Sequence, residues 1–279
     1  MTLGVTALLL LGALIHATWN AFVKGARDPV AMATIIYGSQ ALVMLPALFF
    51  VAPLPQSLWL ILVVHVVLHI VYKIAMVNMY QAGDLSQVYP VARGVTPLLV
   101  TAIAIPVAGE IPTPFDVLGV ALVCAGLLSF ALERSALTRA GAKPLLIAST
   151  AGIVASVYTV IDGIAVRSPE GALSFVAWIF VLDGLTMLII ARIWRGERIY
   201  TAMRDRWKTG VALGVVSTVN FCVVLWALSF SAMGAVVALR ETSIVFAALI
   251  GAIFMGESFG SRRILAAAVI ASGIVCMNL

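Results

Sequence analysis

Charge is what this sequence has least of. Only 10% of its 279 residues are Asp, Glu, Lys or Arg, against 63% hydrophobic ones, and the mean hydropathy is +1.13. A soluble domain of this length needs a far larger polar surface, so the composition excludes a water-soluble globule and leaves a polytopic membrane protein. The sequence has no GxxxxGK[ST] stretch, which excludes energy coupling through a phosphate-binding loop of that kind. No connection is long enough for a soluble domain, the longest running roughly from Trp194 to Lys208. The first apolar run lacks the basic leader of a signal peptide and is expected to be retained. Cysteine is sparse too: Cys124, Cys222 and Cys276 all fall inside apolar runs, where they read as packing residues rather than disulfide partners or ligands.

What is there is a series of apolar runs. A spanning helix needs about 20 such residues, and runs of that order bounded by Gly, Pro and charge clusters fall at 3–23, 30–51, 58–80, 85–108, 115–132, 145–165, 172–193, 210–231, 234–255 and 262–278. The runs do not alternate polar with apolar as β-barrel strands do. Ten helices therefore use nearly the whole chain. Of the 17 Lys and Arg, three (Lys73, Arg93, Arg240) lie within runs and one, Arg167, lies on the side reached after even-numbered runs. All the others lie on the opposite side. The positive-inside rule then puts that basic side in the cytoplasm and both termini outside. The basic excess is a statement about orientation, and nucleic acid is not an expected partner.

Sliding the second half onto the first by 147 residues brings Arg93 onto Arg240, Gly109-Glu110 onto Gly256-Glu257, Leu118 onto Leu265 and Gly126 onto Gly273. These share one gap-free register; the first and sixth runs match poorly. Five helices per half is an odd number, so the second half enters the membrane from the opposite side. The expected architecture is all-α, with ten transmembrane helices in two five-helix inverted-topology repeats, 1–135 and 143–279. Such repeats place a binding site at the midplane, which each half seals in turn.

The five-plus-five layout, "HATWNAFVKG" in the first helix, "GDLSQVYPVARGVTPLL" in the fourth and "GAVVALRETSIVFAALIGAIFMGE" in the ninth resemble the EamA-type transporters of the drug/metabolite transporter superfamily. The resemblance covers the whole chain. It implies a central cavity between helices one, three, four and six, eight, nine, with five and ten packed outside. It fixes no substrate, since members carry amino acids, sugars, nucleotide sugars and drugs. The charge count departs from those members whose termini are cytoplasmic.

Several residues are out of place in lipid. Pro90 cannot donate to the Ser86 carbonyl, nor Pro97 to that of Arg93. An unpaired carbonyl costs several kcal/mol in hydrocarbon, so this backbone must face protein or water. Gly94 allows a helix or ligand to approach closely. An arginine at this depth costs at least ~2.5–3.5 kcal/mol unless it faces a cavity or a partner. Tyr89, one turn before Arg93, shares its face. At the matching positions the ninth helix keeps the arginine, replaces Pro90, Gly94 and Pro97 with Val237, Glu241 and Ile244, and is expected to be unbroken. Adjacent residues point about 100° apart on a helix, so Arg240 and Glu241 do not simply neutralise each other. For either arginine alone, a strut between helices is the competing reading; as a pair they read as a forked grip on an anion such as a carboxylate or phosphate.

In the third helix His65, His69, Tyr72 or Lys73, and Met76 form one stripe expected to face the cavity. Two histidines four apart could share a metal, but no HExxH motif or third-ligand cluster accompanies them, and no metal or other cofactor is expected. Lys73 reads equally as buried or as snorkelling to an interface. His16, Trp19 and Asn20 cluster on the first helix, with Trp19 and Asn20 as substrate contacts. Tyr158 and Asp162 lie one turn apart in the sixth, the latter near a span end where hydration is the bland reading. Asn220 and Trp226 are the candidates in the eighth. Asp183, mid-span in the seventh, must be protonated or paired. Glu110 and Glu257 read as caps before gates. Small residues four apart in the tenth helix, Ala267 with Ala271 and Ala268 with Ser272, read as a packing face within a monomer or homodimer.

The function this supports is secondary transport of a small anionic or zwitterionic metabolite, amino-acid-like for example, across the bacterial cytoplasmic membrane by alternating access. Coupling to protons would run through Glu241, Asp183, Asp162 or the histidines, and uncoupled facilitated diffusion or exchange fits the sequence equally. An intramembrane enzyme would need a nucleophile–base pair, juxtaposed aspartates or metal spacing, none of which is visible as a motif. A membrane scaffold or sensor has no need of two buried arginines in repeat register.

Overall fold

The computed structural model describes residues 1–24, 26–82, 93–131, 142–255 and 260–279, which are helical with no strand among them. The elements are α1 (Leu3–Lys24), α2 (Pro29–Met44) followed by a 3-10 turn (Leu45–Phe49), α3 (Gln56–Ala82), α4 (Thr96–Ala108), α5 (Pro114–Ala131), α6 (Ala142–Val166), α7 (Ala172–Arg195), α8 (Arg198–Asp205), α9 (Trp207–Leu228), α10 (Met233–Glu241), α11 (Ser243–Met255) and α12 (Ser261–Cys276). Among the described residues seven stretches are long and apolar enough to cross a membrane, counting α10 with the start of α11 as one; α4 and α5 are shorter apolar helices.

Local chemistry explains several boundaries. Asp28 caps α2, its Oδ1 accepting from the Val30 and Ala31 amides at 3.0 and 3.1 Å, with Pro29 at the first position, where no amide is needed. Pro46 cannot donate back to the Leu42 carbonyl, and the α-helix gives way there to the 3-10 turn. The connection after α7 contains α8, which the hydrophobic runs do not announce. It is held by fully buried Ile199 against Val30, Ala31, Met187 and Ala191.

The core runs between the two halves of the chain. α2 packs on α7 and α9, α3 on α6 and α7, α1 on α9, α10 and α11, α4 on α6 and α10, and α5 on α12. The α5–α12 contact is tightest where glycines face each other. A Cβ on Gly119 would lie 2.6 Å from the Gly273 carbonyl oxygen, and one on Gly273 would lie 2.6 Å from that of Gly119. Gly126, the register partner of Gly273, sits in the same seam against Ile270. The buried face of α12 is thus Ala266, Ile270, Gly273 and Met277. Of the expected small-residue face, Ala268, Ala271 and Ser272 are exposed, so within the monomer it is not the packing face of α12.

Candidate functional site

The fourth expected span is interrupted where its sequence demands it. Arg93 and Gly94 are helical, Val95 is a bend, and α4 starts afresh at Thr96 with Pro97 in its first turn. Pro97 needs no amide there. Pro90 and Tyr89 lie outside the described residues. A Cβ on Gly94 would lie 2.9 Å from the Leu128 side chain, so its close neighbour is α5. The ninth expected span is also interrupted, between α10 and α11 at Thr242. This overturns the expectation of an unbroken helix: neither proline nor glycine marks the break. The Thr242 hydroxyl donates to the Leu239 carbonyl at 2.6 Å, a local bond that competes with the helical ladder.

These breaks flank the two arginines. Arg93 donates to Glu241 Oε1 at 2.9 Å and to the Tyr72 hydroxyl at 2.7 Å. Glu241 is 1% exposed; it sits against Arg93 and does not line the cavity. Arg240 is also buried, at 8% exposed, and its guanidinium lies over the Phe221 ring, 5.0 Å from the centroid. Among the described residues no carboxylate lies within ion-pair distance of it.

Arg240 faces a cavity of about 300 Å³. Arg93, Trp19, Asn20, His69, Tyr72, Tyr158, Asp183 and Asn220 share its wall. Tyr158 stands edge-on to His69 at 4.4 Å between centroids. The Asn220 Oδ1 has no hydrogen-bond partner among the described residues. The Trp19 indole donates to His16 Nδ1 at 3.1 Å, which leaves that nitrogen unprotonated, and the Asn20 amide donates to the His16 carbonyl at 2.9 Å. The cavity is wider than expected, since α2 and α7 also line it through Tyr37, Gln40, Phe180 and Asp183. Gln40, joined to Ser217 by a 2.9 Å bond, was the available signal: an amide buried in an apolar run. Trp226 is 51% exposed and stacks edge-on with Phe230 on the outer surface, outside the cavity.

A second polar centre lies beside this cavity. His65 Nδ1 is 2.6 Å from Asp162 Oδ1, and His65 Nε2 is 3.7 Å from Asp183 Oδ2. Asp183 Oδ2 also lies 2.7 Å from His69 Nδ1, within ion-pair range though not aligned as a hydrogen bond. Lys73 donates to Asp183 Oδ1 at 2.7 Å, to the Asp183 carbonyl at 2.9 Å and to the Thr186 hydroxyl at 2.9 Å. Lys73 therefore does not snorkel, and Asp162, 2% exposed, is not hydrated. His69, Lys73 and Asp183 reach the cavity wall; His65 and Asp162 lie behind it. The expectation that no third ligand accompanies the histidines needs correction, because Asp183 comes from another helix and the three ligand atoms lie within 4.8 Å of one another. The two imidazoles, however, are stacked 4.5 Å apart with 26° between planes. In-plane lone pairs of near-parallel rings pass each other rather than meet at one ion.

At the opposite end, Arg167 donates to Glu110 Oε1 at 2.5 Å, to the Leu228 carbonyl at 3.0 Å and to the Ser231 carbonyl at 2.7 Å. Glu110 accepts in turn from the Met233 amide at 3.1 Å. It caps the start of α10, a helix remote in sequence, with the carboxylate at the positive end of the dipole. Glu257 lies outside the described residues.

No curated protein matches the chain. A solved structure described only as a crystal structure of a protein is 17% identical, with a TM-score of 0.77, over 99% of this chain and 98% of that one; at this identity the likeness speaks for the fold alone. Residues 142–279 match the profile of the EamA-like transporter family. Through this second half the chain, an integral membrane protein, belongs to the EamA-like transporters, within the drug/metabolite transporter family.

Proposed function

We propose that the protein is a secondary transporter of a small anionic or zwitterionic metabolite, working by alternating access between two five-helix inverted repeats, 1–135 and 143–279. The observation that carries this reading is Arg240: a buried guanidinium facing a cavity with no carboxylate partner among the described residues. A charge so placed is costly unless something neutralises it, and an anion entering the cavity does so. Trp19, Tyr72, Tyr158 and Phe221 around it suit a ligand with an apolar or aromatic body.

Two observations support the repeat. The helix breaks at Val95 and Thr242 are 147 residues apart, the same offset that aligns Arg93 with Arg240. The helix contacts also exchange under that offset: α2–α7 and α5–α12 each pair a segment with its counterpart, while α3–α6 and α1–α9 trade places. The cavity wall reaches Pro29 and Arg195, at the basic end of the bundle, while Arg167 and Glu110 tie the two halves at the other. With that basic end in the cytoplasm of a bacterial inner membrane and the termini outside, this is the inward-facing state. Among the expected coupling residues, Asp183 is on the cavity wall, Asp162 lies behind it with His65 between the two carboxylates, and Glu241 reaches it through Arg93.

The test is a thermal-stability screen of purified protein in detergent against amino acids, phosphorylated metabolites, sugars and organic cations, since a ligand of the folded state raises its stability. Anionic or zwitterionic compounds should stabilise the wild type and not Arg240→Gln. Stabilisation by neutral or cationic compounds alone, equal in both proteins, would contradict the substrate class. A single cysteine at Tyr200, on exposed α8, tests orientation: labelling by an impermeant reagent in intact cells would overturn it.

A further inference from the structure

The Asp162–His65–Asp183–Lys73 centre does not balance its own charge. It is enclosed: His65 is 0% exposed, Asp162 2%, Lys73 3%, His69 4% and Asp183 6%. Two carboxylates meet one ammonium, so with both imidazoles neutral the centre carries a net −1. A buried charge without a counter-charge is strongly disfavoured, and in practice a nearby group changes protonation instead. The groups facing His65 are few. From α6 come Asp162 and Tyr158, from α7 come Asp183 and the apolar ring of Phe175, and from α3 itself comes His69. Arg93 is engaged with Glu241, and Arg240 is within ion-pair distance of neither aspartate.

We infer that His65 is a proton-binding site, holding an imidazolium that hydrogen-bonds Asp162 on one helix and lies within ion-pair distance of Asp183 on another. Both ring nitrogens are within ion-pair distance of an aspartate, Nδ1 at 2.6 Å and Nε2 at 3.7 Å. Nε2 has no hydrogen-bond partner among the described residues, so the Asp162 bond alone would suit a neutral ring; the charge count is what calls for the second proton. One proton on His65 brings the centre to zero: two carboxylates against one ammonium and one imidazolium. His69 stays neutral, because Lys73 already supplies the second positive charge at Asp183.

The same count links the proton to the cavity. Asp183, His69 and Lys73 form its wall, so a ligand ammonium arriving at Asp183 adds one positive charge and the centre releases one proton from His65. Proton–substrate exchange follows; this coupling rests on the transport reading, whereas the proton itself does not.

The sequence has three histidines, so ¹⁵N-histidine NMR of the full chain in detergent micelles at pH 7.5 reads the count directly. His16→Gln and His69→Gln assign the signals. In the wild type one ring, His65, should be doubly protonated. Asp162→Asn, which removes one carboxylate, should leave none; Lys73→Met, which removes the ammonium, should give two, His65 and His69. A neutral His65 in the wild type overturns the proposal, even if the variants do not fold. So does a count that stays the same in folded variants, or a His65 that is neutral until one equivalent of Zn²⁺ shifts both His65 and His69. A neutral His65 in protein that anions stabilise would remove the proton site and keep the transporter; an imidazolium in protein that nothing stabilises would do the reverse.

Discussion

Arg93 and Arg240 occupy matching positions 147 residues apart, each at a helix break, each buried, each on the same cavity wall. Their partners differ. Arg93 holds Glu241 and the Tyr72 hydroxyl, while among the described residues Arg240 has only the face of Phe221. The carboxylate next to Arg240 in sequence points around the helix and neutralises the other arginine. One carboxylate between two guanidiniums makes the first a strut across the two halves of the chain. It leaves the second charged toward the cavity. Matching sequence positions thus do not bring matching roles; partner chemistry assigns them.

The sharpest way to break this contrast is to remove the carboxylate. Glu241→Gln strands the Arg93 guanidinium among buried groups, and breaking a buried pair from one side costs about 3–5 kcal/mol. Denaturation in detergent should show that loss, and a cost under about 1 kcal/mol would mean that Arg93 is neutralised elsewhere. Arg240→Gln should do the opposite, with no loss of unliganded stability and complete loss of stabilisation by anions. That stabilisation is worth about 2.7 kcal/mol in the wild type at a hundredfold excess over Kd. Retained stabilisation would shift the anion site to Arg93. Tyr72→Phe removes a hydrogen bond from a charged donor, and about 1.5–3 kcal/mol should go with it. A smaller effect is expected at Phe221→Leu, where the cation–π contact with Arg240 contributes about 0.5–2 kcal/mol. Its mark should be weaker anion stabilisation rather than misfolding, and an unfolded variant would recast Phe221 as core.

Much of the fold was legible because hydrophobic runs and the helix-breaking residues of one span carry it. Pro97 marks the α4 break through its missing amide. Thr242 marks the matching break with nothing a composition scan detects, since a threonine hydroxyl bonding back three residues looks like any other threonine. α8 was hidden for a related reason: eight residues, mostly polar, held by one buried isoleucine. Of the site, the side chains that line the cavity were legible as polar or aromatic residues in apolar helices, Asn220 and Tyr158 among them. Their partners were not. Asp162 looked hydrated and Lys73 looked free to snorkel because His65 and Asp183, which hold them, lie 97 and 110 residues away. No sequence motif announces the carboxylate beside His65 and His69, because Asp183 approaches from the seventh helix. Sequence spacing describes one face of one helix; ion pairing in this bundle is decided between helices.

The central claim, that Arg240 is the cavity's unneutralised cation and Arg93 its strut, has a direct test in arginine-specific footprinting. Folded protein in detergent is treated with phenylglyoxal and digested, and modification at positions 93 and 240 is compared with and without the most stabilising anion of the screen. Arg240 should be modified, Arg93 spared, and the anion should protect Arg240. Equal modification of both, or modification of Arg93 alone, would contradict the account.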